Sequence, residues 1–172
     1  MRYRLDVVAP SVAEAVRAAG GWMFDRVMAG WDVRVLVSAG HDDRALQILG
    51  ADGADLESAL ATGPDGQRPH ALAVAADLYG CDARIREGVR QALDSGQTEV
   101  TMWGENWPAD LDRSVGSVEH RLSVAARAFK AQALAAVLES PLSPADAIDT
   151  IEFFRSGTPA CCPVAADLVP AS

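Results

Sequence analysis

The sequence predicts an α/β fold, a three-layer sandwich in which helices flank a mostly parallel sheet of four to five strands. Two observations favour this fold. Short runs of alternating hydrophobic residues, typical of strands, recur between segments in which hydrophobic residues are spaced three or four apart, as in helices. Because a helix between two strands returns the chain to the same end of the sheet, neighbouring strands are expected to run parallel.

The first predicted unit is a strand, a helix and a second strand. Residues 3–8 are rich in residues that favour strands. Ser11 stands three residues before Glu14, the spacing of a capping box, so a helix is expected to begin at Ser11 and to end at Gly30. The alternation of valines over residues 33–37 predicts the second strand.

The middle of the chain contains shorter predicted elements. The patterns indicate a short strand over residues 44–49, a brief helix over 55–61 and a polar loop over 62–69. They then indicate a strand over 70–78, a helix over 83–95 that is capped by Asp82, and a further strand over 98–103. Residues 70–78 also fit an Ala-rich helical turn, but the strand is favoured. The polar loop, Thr-Gly-Pro-Asp-Gly-Gln-Arg-Pro, is the best candidate for a mobile lid.

Two helices are predicted in the last third of the chain. Hydrophobic residues recur at steps of three and four over residues 114–139, which predicts the longest helix. A Ser-Pro pair is typical of a helix start and predicts a final helix over residues 143–155. Because prolines interrupt regular structure after that point, the expected division is one α/β domain over residues 1–157 and a loosely ordered tail over residues 158–172.

Composition narrows the expected partners and location. A length of 172 residues fits a single domain. The formal net charge of -9 opposes binding to phosphate backbones, so no nucleic-acid partner is expected. An uncharged apolar stretch of about 18 residues is absent, so no membrane-spanning helix is expected either. An odd number of cysteines, 3, without an apolar leader predicts a reducing compartment and a cytoplasmic protein.

The candidate catalytic residues follow the second predicted strand. They are His41, Asp42 and Asp43, in the region beyond the carboxyl ends of the strands where ligands of α/β proteins usually bind. An imidazole beside two carboxylates could act as a general base or a proton relay. The competing interpretation is a polar turn without chemistry. No metal site is predicted, because His70 and His120 lack the spacing of metal ligands.

Four further residues are candidates for ligand binding. Ser11 opens the first helix, where backbone amides could hold an anion, although helix capping alone explains a serine at that position. Trp103 and Trp107 flank a Gly-Glu-Asn segment and could line a pocket for a sugar or an aromatic ligand, or could instead cover an edge of the core. His70 is the remaining polar candidate. No cofactor motif is present, so the cofactor stays unknown.

The opening unit resembles a known family. Residues 9–14 read Ala-Pro-Ser-Val-Ala-Glu and are followed by the pair Gly20 and Gly21 and by the second predicted strand. This resembles the first β-α-β unit of the LmbE-like deacetylases, in which an Ala-His-Pro-Asp-Asp-Glu stretch precedes paired glycines. The resemblance covers only this unit and implies an α/β fold. The positions where that family has its metal-binding His and Asp are Ser11 and Ala13, which cannot hold zinc.

Three functions are compatible with the sequence. The leading hypothesis is a non-catalytic cytosolic binding or regulatory domain that recognises a protein partner or a small ligand at the carboxyl edge of its sheet, because no nucleophile elbow, phosphate loop or dinucleotide motif is present. The second is a small hydrolase or transferase that uses His41 as a base with Asp42 or Asp43 as its orienting group. The third is a structural subunit, in a hetero- or homo-oligomer, that docks through its two C-terminal helices.

Overall fold

The computed structural model describes residues 2–38, 43–62, 68–106, 108–111, 116–157 and 167–171. They form a mixed α/β fold in which helices flank a sheet of eight strands. The α/β prediction is therefore confirmed, whereas the expectation of a mostly parallel sheet of four to five strands is wrong. None of the helices in these ranges is long and apolar enough to cross a membrane.

One half of the sheet is parallel. Its strands lie in the order β3-β2-β1-β4-β5. They are β1 (Arg4–Val8), β2 (Asp32–Val37), β3 (Asp52–Asp55), β4 (Ala71–Ala75) and β5 (Glu99–Trp103). Parallel strands end at a common side of the sheet, which we call the carboxyl edge, and the opposite side is the amino edge. The middle strands are hydrophobic on both faces because helices cover both faces.

The other half of the sheet is antiparallel. It contains β6 (Gly116–Arg121), β7 (Ile151–Gly157) and β8 (Val169–Pro170). Strand β7 lies between β5 and β6 and is antiparallel to both, and β8 continues the sheet beyond β6. These three strands account for the error in the expected strand number and direction, because the sequence patterns had assigned the residues of β6 and β7 to helices.

The predicted helix over residues 114–139 is in fact a strand followed by a helix. Residues 116–121 are β6, and helix α6 is Val124–Leu138. Ser123 separates them: its backbone is extended, and its hydroxyl accepts a hydrogen bond from Ala126 N at 3.0 Å, which caps α6. The hydrophobic residues of β6 happen to continue the three-to-four-residue spacing of α6 across Ser123. The spacing therefore suggested one long helix, although the backbone before Ser123 forms a strand.

The predicted final helix over residues 143–155 is also wrong. Ser143 and Asp146 do form a capping box, but the helix it starts is a single 3₁₀ turn, Pro144–Asp146. The chain then becomes β7, in which every second residue is buried, namely Glu152, Phe154 and Ser156. This alternation with a period of two is typical of a strand, but the capping box at Ser143 led to the prediction of a helix over the same residues.

Two shorter elements also differ from the expectation. Residues 44–49 were expected as a strand, but helix α2 (Asp43–Leu49) occupies them because Ala45, Leu46 and Leu49 are buried on one helical face. The third strand is instead β3, which lies mostly between the expected strand over residues 44–49 and the expected helix over residues 55–61. The expected strand over residues 70–78 is confirmed for β4 only, since helix α4 (Ala76–Cys81) follows directly.

The remaining helices follow the predictions. Helix α1 (Val12–Met28) is capped by Ser11, and Gly30 follows its end with a φ of 92°. Helix α3 is Leu56–Thr62. Helix α5 (Ala83–Ser95) begins after Asp82, whose carboxylate accepts a hydrogen bond from Arg84 N at 2.9 Å. The polar loop considered as a lid lies largely outside the described residues.

The helices divide between the two faces of the sheet. Helices α1, α2 and α6 pack together on one face, which we call the α1 face. Helices α3, α4 and α5 cover the other, which we call the α5 face. Alternate residues of β1 show the division, since Leu5 and Val7 belong to the core of the α1 face and Val8 to that of the α5 face.

A buried ion pair joins α1 to α6 and β7 on the α1 face. Glu152 accepts hydrogen bonds from Gly21 N, Trp22 N and Lys130 Nζ, each at 2.8 Å. Burial raises the pKa of Glu152, while the Lys130 ammonium and the two amides act in the opposite direction. Because both charged side chains are nearly inaccessible to solvent, each depends on the other for compensation.

A second buried network surrounds Arg26 of α1. Its guanidinium lies 4.6 Å from the ring centre of Trp22 and 4.2 Å from that of Trp31. It pairs with Glu99 at 3.1 Å and with Asp167 at 2.7 Å. Burial raises the pKa of Glu99, and the Arg26 charge opposes this rise. The network ties the last described segment of the chain to the core of the α1 face.

Candidate functional site

The carboxyl edge has a crevice where the crossover connections diverge. The connections that leave β1 and β2 pass through α1 and α2 on the α1 face, whereas those that leave β3 and β4 pass through α3, α4 and α5 on the α5 face. Strands β1 and β4 are neighbours in the sheet, so the loops at their carboxyl ends separate towards opposite faces. Ligands of open α/β sheets usually bind at such a switch point.

Ser11 lies at this point, directly after β1. Its hydroxyl accepts a hydrogen bond from Glu14 N at 3.2 Å, so the side chain caps α1. The capping interaction explains the serine locally and leaves the hydroxyl engaged. The amides of Val12 and Ala13 belong to the first helical turn, in which N–H groups have no intrahelical acceptor. A role of Ser11 in ligand binding remains a prediction.

The predicted catalytic segment is only partly described. Asp43 is the first residue of α2 and is exposed, and Ser38 directly follows β2 at the carboxyl edge. His41 and Asp42 lie outside the described residues. The described flanks nevertheless show that this connection starts at the carboxyl edge, from the strand adjacent to β1. The catalytic roles of the three residues remain predictions.

Two residues at the carboxyl edge were not singled out in the sequence. Asn106 Nδ2 donates a hydrogen bond to Asp77 Oδ1 at 3.0 Å and joins the segments that follow β5 and β4. Gly104 permits this approach: it has a φ of 124°, and a Cβ atom there would lie 3.2 Å from Ala76 Cβ. Asn106 stands in the Gly-Glu-Asn segment between the two tryptophans, but its contact with Asp77 in the first turn of α4 has no signal in a single sequence.

A second polar cluster joins α4 and α5 to the segment that follows β5. The Tyr79 hydroxyl donates to Asp110 Oδ2 at 2.9 Å, and Arg90 Nη2 donates to the same oxygen at 2.7 Å. These hydrogen bonds, that from Arg90 foremost, lower the pKa of Asp110. Burial raises the pKa of the Tyr79 hydroxyl, and its bond to Asp110 adds to this rise. Asp110 is thus a carboxylate at neutral pH and suits anchoring better than proton donation.

Trp103 ends β5 and packs into the core. Its side chain is largely buried, on the α1 face. One part of it also lines a cavity of about 460 Å³, where β5 and β7 separate after Met102, together with Phe153 and Arg155. Trp107 lies outside the described residues, so the proposed pair of pocket walls is described for one member only.

His70 lies at the opposite side of the sheet from Ser11. It immediately precedes β4 at the amino edge, where its Nδ1 accepts a hydrogen bond from Arg4 N at 3.1 Å and its ring meets the Tyr3 ring edge-on at 4.8 Å. A strand of five residues spans roughly 16 Å. His70 therefore does not converge with Ser11 or Trp103, and its contacts explain it as part of the sheet's amino edge.

The described residues do not supply the metal site of the LmbE-like deacetylases. Ser11 and Ala13 stand at the positions where that family has metal-binding side chains; the former is a helix cap and the latter has no donor atom. His120 is buried within 2.8 Å of Asp25 Oδ2 and 2.9 Å of the Asp167 carbonyl oxygen. Among the residues that the structure describes, no three His, Cys, Asp or Glu side chains cluster as a metal site would require.

Solved deacetylases share this fold. The A40926 pseudoaglycone deacetylase Dbv21 aligns over 94% of this chain and 100% of its own, with a TM-score of 0.57 and 15% identity. A triple-mutant deacetylase of the teicoplanin biosynthetic pathway aligns over 76% of this chain and 80% of its own, with a TM-score of 0.56 and 15% identity. The zinc-inhibited form of the teicoplanin deacetylase Orf2 has a TM-score of 0.52 at 15% identity, over 76% and 82%. No protein-family model and no curated protein sequence matches the chain.

These structural neighbours overturn the leading functional hypothesis. All of them are deacetylases, so the prediction of a non-catalytic binding or regulatory domain is wrong, and the alternative of a small hydrolase fits better. The structural-subunit hypothesis also loses part of its basis, because one of its two docking helices is strand β7. At 15% identity the likeness concerns the fold, so the chemistry of this chain has to be argued from its own residues.

Proposed function

We propose that the protein is a small hydrolase that removes an acyl group, acetyl being the first candidate, from an amide or ester at the carboxyl edge of its sheet. The observation that carries this proposal is the fold shared with deacetylases along nearly the whole chain. The switch point between β1 and β4, where the loops diverge, supports the location.

His41 is the proposed general base. It belongs to the connection that leaves β2 at the carboxyl edge, two residues before Asp43. A carboxylate that accepts a hydrogen bond from one ring nitrogen orients the imidazole and stabilises its protonated form, and Asp42 or Asp43 would fill that role. General acid–base catalysis of this kind contributes typically about 10²–10⁴-fold to a rate.

The proposed step is direct attack by water. The imidazole takes one proton from water while the water oxygen bonds to the acyl carbon, and the same proton then passes to the leaving nitrogen or oxygen as its bond to that carbon breaks. The products are a carboxylic acid and an amine or alcohol. The oxyanion formed on attack requires N–H donors, and the first-turn amides of α1 are the nearest set after β1. No step uses the metal position of the LmbE-like family.

Acetate release provides the test. The full chain is incubated with a panel of N-acetyl amides and acetyl esters, and free acetate is followed by proton NMR. The wild-type protein is expected to release acetate from at least one amide, and His41→Gln is expected to reduce kcat by about 10²-fold or more. Asp42→Asn and Asp43→Asn, made separately, identify the orienting carboxylate by the larger loss.

His70→Gln is the matched control. It changes the same residue type at the amino edge and is expected to leave kcat within about twofold of wild type, since His70 contacts β1 and Tyr3 rather than the crevice. Equal loss of activity in the two variants, or full activity in His41→Gln, would contradict the assignment of the base. Turnover of no acyl compound by a folded wild-type chain would reject the hydrolase itself.

A further inference from the structure

The α5 face has a groove over the middle of the parallel sheet. Helix α3 follows β3 and helix α5 follows β4 on this face, and the groove lies between the two helices, with the nearly solvent-inaccessible side chains of Asp6 and Val8 of β1 in its floor. The space that results has a volume of about 560 Å³, within the range of roughly 300–1,000 Å³ that is common for small-molecule sites.

The floor of the groove changes from charged to apolar along the strands. Arg34 of β2, Asp6 of β1 and Leu72 of β4 form one row in the sheet register. The next row on the same face, nearer the carboxyl edge, consists of Leu36, Val8 and Val74. Arg4 precedes both rows at the amino edge. A molecule lying along β1 would therefore meet a charged floor at one end and a hydrocarbon floor at the other, where Asp55 and Arg84 line the groove as well.

The walls combine aliphatic side chains with polar ones, the latter being Ser58 and Thr62 of α3 and Arg84, Glu87 and Gln91 of α5. Helix α3 contributes Leu56, Ala59 and Leu60, and helix α5 contributes Ile85, Val89 and Ala92. None of the described residues that line the groove has an aromatic ring. Because planar ligands are usually held by stacking on rings, a lining of this kind suits a flexible hydrocarbon chain better than an aromatic ligand.

Among the residues that the structure describes, three arginines and one carboxylate line the charged end of the groove. Asp6 is shared by Arg34 at 2.9 Å and Arg4 at 3.3 Å, and its side chain is only 7% exposed. Arg68 adds a third guanidinium at the mouth of the groove. Asp52 stands opposite Arg34 in the register but is exposed and does not line the groove. This positive end is notable in a protein with a net charge of -9.

We propose that the groove binds an aliphatic carboxylate of medium chain length. The carboxylate lies at Arg34 and Arg68, and the hydrocarbon chain runs along β1 between α3 and α5. Arg68 suits this head group because the N–H donors of a guanidinium match the two oxygens of a carboxylate. Arg34 donates from Nε and Nη2 to Asp6, so its Nη1 group is the one that faces the ligand in this proposal. The proposal is independent of the hydrolase chemistry at the carboxyl edge, since it concerns binding and assigns no reaction to the groove.

Calorimetric titration of the full chain with decanoate, below its micelle concentration, tests the proposal. One saturable site is expected, with affinity at least tenfold higher than for hexanoate because the shorter chain leaves part of the apolar walls uncovered. Decyltrimethylammonium carries a similar chain with the opposite charge and is expected not to bind at the site. Equal affinity for the two head groups would overturn the assignment of the charged end.

Substitutions locate the site. Arg34→Gln and Arg68→Gln are each expected to weaken decanoate binding by about fivefold to tenfold, and the latter changes an exposed side chain that folding does not require. Ala92→Phe fills the groove from α5 and is expected to abolish binding. Ala125→Phe on α6 is the matched control on the other face and should leave affinity unchanged. Unaltered binding in folded Ala92→Phe, verified by circular dichroism, would place decanoate elsewhere and reject the proposal.

Discussion

The two faces of the sheet differ in how deeply their ion pairs are buried and in how closely helices cover the strands. On the α1 face, two long helices, 17 and 15 residues, seal the sheet, and the pair Lys130 and Glu152 is almost completely buried. On the α5 face, α3 has only 7 residues and borders a groove over β1, and the ions at Asp6 reach solvent through their arginine partners. The difference indicates that the length and position of the crossover helices decide which face is core and which is a binding surface.

The largest expected effect is on the buried ion pair. Glu152→Gln removes the negative charge and leaves the Lys130 ammonium buried, so a loss of about 3–5 kcal/mol in the free energy of unfolding is expected. Asp6→Asn on the α5 face is the counterpart, and its cost is expected to be about 1 kcal/mol because both arginines there are partly hydrated. Urea denaturation measures both. Similar losses in the two variants would remove the distinction between the faces.

The paired glycines of α1 sharpen the comparison of packing. A Cβ atom at Gly21 would overlap the Leu122 side chain and meet Glu152 Oε1 at 3.1 Å. Gly21→Ala is therefore expected to destabilise the fold by about 1–3 kcal/mol, although alanine favours a helix over glycine by about 1 kcal/mol. Melting temperature and urea midpoint report this loss.

Gly88 on the α5 face is the matched position. It lies inside α5 with no other atom within 4 Å of an added Cβ, so Gly88→Ala is expected to stabilise the protein by up to about 1 kcal/mol through helix propensity. Opposite signs for the two glycine-to-alanine changes are the expected result. A loss at both positions would indicate that helix α5 packs as closely as α1.

Local signals predicted the first strand, helix and strand of the fold, whereas elements that depend on pairing between distant segments were missed. The cap at Ser11 and the alternation in β2 depend only on neighbouring residues, and both are confirmed. The assignment of β7 failed because the real capping box at Ser143 was read as the start of a long helix. Strand β7 occupies the position between β5 and β6 in the sheet. This position depends on pairing with strands that are distant in the sequence, so the local pattern of residues 143–155 does not reveal it.

The candidate site shows the same division. The carboxyl edge follows from strands that alternate with helices, so the region could be predicted. His70, however, immediately precedes β4, and the start of a parallel strand lies at the amino edge; strand direction alone would have excluded it from the crevice. The contact between Asp77 of α4 and Asn106 joins residues 29 apart in the sequence and required coordinates.

The last expected effect concerns pH and the Arg26 network. Because burial raises the pKa of Glu99 above its ordinary 4.5, the unfolded chain loses this proton at lower pH than the folded chain does. From about pH 4.5 upward, ionisation of Glu99 therefore lowers the stability of the folded state until its folded pKa is passed. Glu99→Gln removes this contribution, and Arg26 keeps Asp167 as a partner. The stability of Glu99→Gln relative to wild type is thus expected to increase with pH across this window, by at most about 1.4 kcal/mol per pH unit. Urea denaturation at a series of pH values measures the difference, in which the shared titration of Glu152 cancels. A difference that falls as pH rises would mean that Arg26 more than compensates the burial of Glu99, and that the α1 face tolerates this carboxylate in its charged form without cost.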